Sequence, residues 1–520
     1  MATAPASPAS SAPNAADEAA RRPYTSDTSF FGHPRGLATL FATEMWERFS
    51  YYGIRPLLVL FMTAALVDGG FGFERAQASS IVGIYAASVY LASLPGGWVA
   101  DRWLGLQRSI WYGGLFIAAG HLSIALSAVF AQSAFFLGLV LIVVGTGLLK
   151  PNISALVGDL YPEGGARRDA GFSIFYMGIN TGAFIAPLIT GYLGERVGWH
   201  LGFGAAGIGM LAGVITYRAR IASTLGPLGV LPSGGPAEQQ RVKRWAIGLL
   251  AAVFAIVLLT MAGVIHIDPV AVAEKMSIVM ATMGLGYFAY LFLLAGLTGD
   301  EKKRMAVILV LCLASVVFWA AFEQAPTSLN LFARDFTDRN FFGWEVPTLW
   351  MQATNSLFVI SLAPVFGALW VWLAKRGMEI SPIAKFAVSL AITALGFLVM
   401  VKASDVVIDS NGAVKVSMWW LTVSYLFQTF GELSLSPVGL SSMTKLAPRK
   451  FVGQMMGLWF LATAMGNLIA GLVGGEVDPE KLQQMPVLFQ RTALSLLIAS
   501  LVMAALIVPI RKMLARKSDA

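Results

Sequence analysis

The chain has 520 residues, of which 57% are hydrophobic and 13% charged, with a mean hydropathy of +0.69. A soluble domain carries about 25% charged residues, so this composition excludes one and implies a polytopic membrane protein. The net charge of +8 does not point to nucleic acid, because no basic run with interleaved aromatics occurs in a soluble segment.

Cys312 is the only cysteine, which excludes an internal disulfide and a cysteine-based metal site. The histidines at 33, 121, 200 and 266 show no metal-ligand spacing. His121 is the only one deep in an apolar run, where a satisfied or interfacial imidazole is expected. No cofactor is expected.

Residues 1–34 are rich in Ala, Ser and Pro and read as a disordered cytosolic tail without the apolar core of a signal peptide. Beyond them come about fourteen apolar runs of roughly 20 residues or more. They are expected near 36–65, 76–100, 109–130, 134–158, 169–193, 202–220, 244–266, 277–298, 305–333, 350–375, 383–403, 417–446, 450–474 and 489–511. An even count puts both termini on one side. With that side in the cytoplasm, cytoplasmic segments hold about 25 Lys and Arg, the opposite loops about 9, and the helices about 3.

The first span contains Glu44, Glu47, Arg48, Tyr51, Tyr52 and Arg55, spaced by three and four so that they share one helix face. A charge near the bilayer centre costs roughly 2.5–3.5 kcal/mol on insertion scales. That face must therefore look into protein or a wet cavity. After the second span, Gly96 and Gly97 permit close packing, and Asp101, Arg102 and Arg108 lie at the cytoplasmic membrane edge. The fourth span holds Lys150 followed by Pro151, which removes a backbone donor and loosens the helix there. The fifth holds Asn180 between Gly178 and Gly182; interhelical glue and a ligand role suit it equally.

The long connection near 221–243 is rich in Gly and Pro and reads as a linker between halves. The two spans that follow are apolar all round and expected to face lipid or pack peripherally. Glu323 lies inside the next span, Asn355 early in the one after it, and Glu432 deep in a later one near Pro437. Trp319 and Trp459 lie near these polar positions; core packing or an interfacial belt is the expectation for the rings alone. The expected organisation is therefore a tail (1–34), a six-helix bundle (35–221), a linker with an inserted helix pair (222–300), a second six-helix bundle (301–513) and a short cytoplasmic tail (514–520).

The deep ionisable set is Glu44, Glu47, Arg48, Arg55, Lys150, Glu323 and Glu432. The first half supplies every base, and the second half only acids. Opposite charges on opposed halves can pair across a cavity, or bind a zwitterion lengthwise. An acid left over is suited to carry a proton, since burial raises its pKa and an opposing base lowers it.

Several long motifs coincide: ExxERFxYYGxR (Glu44 to Arg55), GGxxADRxxG (Gly96 to Gly105), GTGxxKPNxS (Gly145 to Ser154), FxxxINxGAFxAP (Phe175 to Pro187), FWxxxEQ, and GELxxSPxGLSxxTKLAP ending at Pro448. Together the sequence resembles the proton-dependent oligopeptide transporter (POT) family, bacterial members in particular, within the major facilitator superfamily. The resemblance implies an all-α major facilitator fold of two six-helix bundles plus two inserted helices, in a bacterial inner membrane. It implies a symporter that imports di- and tripeptides with protons, with no nucleic acid as partner. One chain holds a complete site, so a monomer among membrane lipids is expected.

By the same resemblance Glu44, Glu47 and Arg48 couple protons to peptide, and Arg55 pairs with Glu323 in a proton-sensitive gate. Arg48 and Lys150 draw the peptide carboxylate, and Arg55 is also counted among the substrate-binding residues. Glu432 takes the ammonium with Asn180 and Asn355. Tyr51, Tyr52, Tyr90, Trp319, Ser436 and Trp459 line the pocket. Asp101, Arg102 and Arg108 brace a cytoplasmic gate. Animal relatives use a histidine in the second helix; none stands in that span here. The alternatives are transport of another anionic or peptide-like solute, such as nitrate or a peptidomimetic drug, and a sensor or membrane-embedded enzyme. The last lacks support, because no Ser/His pairing, HExxH or Gly-rich phosphate loop is present.

Overall fold

The computed structural model describes residues 15–378 and 380–514. A short amphipathic helix, α1 (Ala15–Thr25), precedes α2 (Arg35–Thr63), α3 (Arg75–Val99), α4 (Leu106–Ala125), α5 (Ser127–Asp159), α6 (Gly165–Arg196) and α7 (Trp199–Thr224). The inserted pair is α8 (Pro236–Met261) and α9 (Pro269–Leu293). Then follow α10 (Gly299–Phe322), the short α11 (Asn330–Asp335), α12 (Trp350–Lys375), α13 (Pro382–Asp409), α14 (Trp419–Leu446), α15 (Val452–Val473) and α16 (Gln484–Leu514). Each expected span is met by one of these helices, with the ninth divided between α10 and α11.

Twelve of the spans are long and apolar enough to cross a bilayer on composition alone. The two that fall short are α2 and α14. They carry Glu44, Glu47, Arg48 and Arg55 on one side and Glu432 on the other. The helices least suited to lipid hold the charge.

The helix pairings occur twice. In the first half α2 packs on α6 and α7, α4 on α5 and α7, and α3 on α5. In the second α10 packs on α15 and α16, α13 on α14 and α16, and α12 on α14. Between the halves α3 lies on α15, and α6 lies on α12. This two-fold repetition is the major facilitator fold: two six-helix bundles with a site where they face each other. A Cβ built on Gly83 would stand 2.8 Å from the Cα of Gly471, so the α3–α15 crossing runs backbone on backbone. Outside the bundles, α9 touches both α3 and α15, while α8 touches mainly the turn at 100–104.

The polar ties between the halves cluster at the middle and at the end away from the chain termini. At that distal end Arg75 reaches Asp335 at 2.6 Å, and Arg334 donates to Thr63 Oγ1 at 2.8 Å. Glu195 accepts from the Thr348 amide at 2.8 Å and hydroxyl at 2.7 Å, and Trp350 Nε1 donates to the Leu188 carbonyl at 2.9 Å. The space between the halves is thus shut at the distal end.

One expectation about the chain ends needs amending: residues 1–34 read as a disordered tail, but Ala15–Thr25 is helical. Its alanines, acid and arginines favour helix, and its C-terminal end is held down by Arg167, which donates to the carbonyls of Thr25 (3.2 Å) and Asp27 (2.8 Å). The remaining tail residues, 1–14 and 515–520, lie outside the described residues.

Candidate functional site

The charged face of α2 is buried and turned inward: Glu44, Glu47, Arg48 and Arg55 are all at most 6% exposed. Arg48 is gripped by two carboxylates of its own helix. Its Nε and Nη2 donate to Glu47 at 2.5 and 2.7 Å, and Glu44 stands 3.3 Å from Nε. A bidentate guanidinium–carboxylate fork is among the stronger charge-assisted contacts. Tyr51 completes the arrangement, with the Arg48 guanidinium 5.0 Å and that of Arg55 5.7 Å from its ring centre.

Two turns further along α2, Arg55 crosses to the other half. Its Nη2 donates to Glu323 and, at 2.6 Å, to Asn467 Oδ1 on α15. Glu323 does not sit within a continuous helix, as the sequence suggested. It is the C-terminal cap of α10, and a π-helical turn (Ala325–Leu329) follows around Pro326. Such a turn inserted in a helix commonly marks a functional position. Asn330, just beyond it, donates to the carbonyl of Pro56 at 2.7 Å, a second tie to α2.

Lys150 on α5 stands 4.1 Å from the Tyr90 ring centre and has no ion pair among the described residues. It lies within electrostatic reach of Arg48, Glu44, Glu47 and Glu323. On the opposed half Glu432 is near Asn355, and Glu323 is within its field. Asn355 also donates to Thr429 at 2.9 Å. The second Glu432 oxygen has no protein partner, nor do the Ser436 hydroxyl and the Trp319 indole nitrogen on the same half. Lys150, Tyr52, Tyr90, Trp319, Asn355, Glu432 and Ser436 are half-buried, not sealed. The seven deep ionisable groups thus form one electrically connected cluster, four acids and three bases, around a space between the halves.

Some expected residues stand differently. Asn180 donates back to the Tyr176 carbonyl at 3.0 Å, within its own helix. The Trp459 ring is buried against Gly439. Arg55 is already engaged by Glu323 and Asn467, so among the bases only Lys150 is without a carboxylate partner. The charges of the 96–108 segment meet the linker and α8 instead of the opposite bundle. Arg102 pairs with Glu238 at 3.3 Å, Ser233 donates to the Asp101 carbonyl from its amide (2.7 Å) and its hydroxyl (2.9 Å), and Arg108 is exposed. His121 is fully buried and neither ring nitrogen has a protein partner, unlike the satisfied or interfacial imidazole expected.

Three residues went unread. Asn467 binds Arg55 and is a lone amide in an apolar stretch, the same signal that singled out Asn180. Tyr85 stacks on Tyr51 at 6.1 Å with its hydroxyl unpartnered, and Tyr176 lies across the space within the field of Glu432.

This arrangement has known counterparts. The POT family model matches residues 107–487. The peptide transporter YePEPT of Yersinia enterocolitica is 51% identical over 94% of this chain and 96% of its own. A di-/tripeptide transporter of Lactococcus lactis subsp. cremoris is 39% identical over 85% and 89%. Among solved structures, a peptide transporter POT in complex with sulfate is 38% identical with a TM-score of 0.87, covering 96% of this chain and 99% of that one. A POT family transporter in complex with 5-aminolevulinic acid is 32% identical with a TM-score of 0.84, over 93% and 98%. With the motif set, the paired bundles and these similarities agreeing from end to end, the chain belongs to the POT family.

Proposed function

We propose that this protein is a proton-coupled symporter importing di- and tripeptides by alternating access, working in a bacterial inner membrane with both termini in the cytoplasm. The observation that carries the reading is the pair of half-buried, opposite charges on opposed bundles, Lys150 and Glu432, neither with an ion-pair partner among the described residues. A peptide always presents a carboxylate and an ammonium, whatever its side chains. Lys150 and Arg48 suit the first, and Glu432 with Asn355 suits the second. Apolar and aromatic walls then tolerate varied side chains.

Proton coupling follows from the fork on α2. Glu47 and Glu44 together hold Arg48. A proton on Glu47 removes the fork and frees the guanidinium to meet the peptide carboxylate. The Arg55–Glu323 contact bridges the halves, and neutralising Glu323 weakens it. In this way one proton changes both ligand affinity and the attraction between the bundles. Asp101, Arg102 and Arg108 belong to the cytoplasmic closure, where the linker holds their segment.

Reconstituted vesicles with acid outside should accumulate labelled dialanine. The variants Glu44→Gln and Glu47→Gln should lose gradient-driven uptake while keeping peptide exchange. Accumulation indifferent to the gradient, or unchanged in both variants, would overturn the reading. Competition by nitrate stronger than by dipeptides would favour a different solute.

A further inference from the structure

A large cleft lies outside the charged chamber. It encloses about 1360 Å³ between α8 and the outer faces of α3, α4 and α5, and its lining is almost wholly apolar, including Leu91, Trp103, Phe116, Leu148, Leu250 and Val257. It arises because α8 is fastened chiefly at its start, with only slight contact to α3 and α5. Ser233 and Glu238 tie that end to Asp101 and Arg102, while the body of the helix stands away from the bundle. Leu249 lines the cleft yet is 57% exposed, so the cleft opens sideways to the surrounding medium. In a bilayer that medium is hydrocarbon.

The mouth nearest the linker is cationic on both walls. Arg108, Tyr112 and Phe116 follow one another at every fourth position of α4, and the two aromatics line the cleft. Lys243, Leu250 and Val257 recur at every seventh position of α8, and the two aliphatics line it from the other side. Arg108 and Lys243 therefore stand over the same end of the cleft. Both are exposed and without an ion pair among the described residues. Arg241, Arg244 and Trp245 border a smaller hollow on the same turn of α8. A tryptophan and several cations at one depth mark the level of lipid headgroups.

The geometry points to a resident anionic phospholipid in this cleft, its acyl chains between α8 and the first bundle and its phosphate between Arg108 and Lys243. An anionic headgroup is chosen over a neutral one because the two acids at this end, Asp101 and Glu238, are outnumbered by Arg102, Arg108, Arg241, Lys243 and Arg244. The slot adjoins the peptide chamber at Tyr85, which lines the slot and stacks on Tyr51. It also assigns the inserted pair a use: α8 is one wall of a lipid slot adjoining the linker-held turn at 100–104.

Delipidated full-length protein titrated with dioleoyl phosphatidylglycerol, and separately with phosphatidylcholine of the same chains, tests this by native mass spectrometry. One phosphatidylglycerol should be retained about 30-fold more tightly than phosphatidylcholine, whose choline ammonium cancels the phosphate charge that two cations would otherwise attract. The double variant Arg108→Gln, Lys243→Gln should erase that preference. Val253→Trp, which fills the slot, should remove retention of both lipids. A control, Arg511→Gln with Lys512→Gln at the end of α16, should leave retention intact. Equal retention of the two lipids, undiminished binding in the filled variant, or equal loss in the control would each overturn the proposal. Should the double variant not fold, Lys243→Gln alone, on an exposed side chain, carries the same comparison.

Discussion

At the scale of residues, the two unpaired charges have separable consequences. Glu432→Gln should weaken dialanine binding by about 10-fold to 100-fold, the usual worth of a charge-assisted hydrogen bond. It should also abolish the preference for a free amine over an acetylated one. Lys150→Ala should do the same for a free carboxylate over its amide. Competition assays with the two blocked peptides distinguish these roles from general loss of folding. Outside the membrane, His33 contacts Tyr161 Oη at 2.8 Å. Burial depresses its pKa first, and nearby Arg167 adds to the effect. The folded state then prefers the neutral imidazole, so docking of the segment before α2 is fully stabilised above the ordinary histidine range and weakens as pH falls through it. The protection factor at residues 28–34, with the intrinsic pH dependence of amide exchange divided out, should therefore be smaller at ~pH 5.5 than at ~pH 7.5. An unchanged protection factor would rule this out. The charged members of the chamber were legible as single residues because an ion in an apolar run demands explanation. Tyr85 and Tyr176 were not, since aromatic rings are ordinary in membrane helices and only the fold reveals which ones face the chamber.

At the scale of elements, the helix boundaries followed from hydropathy, and the break after Glu323 did not. Pro326 was visible, but a proline within a span kinks one helix and scarcely disturbs another. Here the break ends α10 at its acid and directs Asn330 onto the Pro56 carbonyl. The α3–α15 crossing is similarly hidden, because Gly83 and Gly471 are far apart in the chain and meet only through the two-fold arrangement. Replacing Gly471 by Val should force these helices apart. We expect a thermal destabilisation of about 1–3 kcal/mol, typical of overpacking, together with slower peptide exchange. Full stability in a melting curve would show the contact to be less tight than drawn.

At the scale of the whole molecule, the distal end is closed by the contacts of Glu195, Arg75 and Arg334, and transport needs that closure to be undone. Cysteines at 195 and 348, in a Cys312→Ala background, should form a disulfide that abolishes uptake while leaving peptide binding, with activity restored on reduction. Retained uptake in the oxidised form would exclude a hinged opening there. The overall architecture was readable because repeated spans and basic-loop asymmetry are properties of composition. The docking of the linker on the 100–104 turn was not, since a Gly- and Pro-rich segment carries no periodic signal. Ser233 and Glu238 look like ordinary loop and helix-start residues until their partners are seen.

The surplus of one carboxylate in the chamber has an electrical consequence. With its acids and bases all ionised, the cluster of four acids and three bases is one negative charge from balance, which a single proton restores. A zwitterionic peptide adds no charge of its own, so an inward turnover that carried that one proton would move one positive charge across the bilayer. Such a cycle is electrogenic: a voltage of 100 mV, negative inside, would contribute about 2.3 kcal/mol per turnover, close to a 50-fold gradient of peptide. Dialanine applied to a supported membrane should then evoke an inward current even when both sides are held at the same pH.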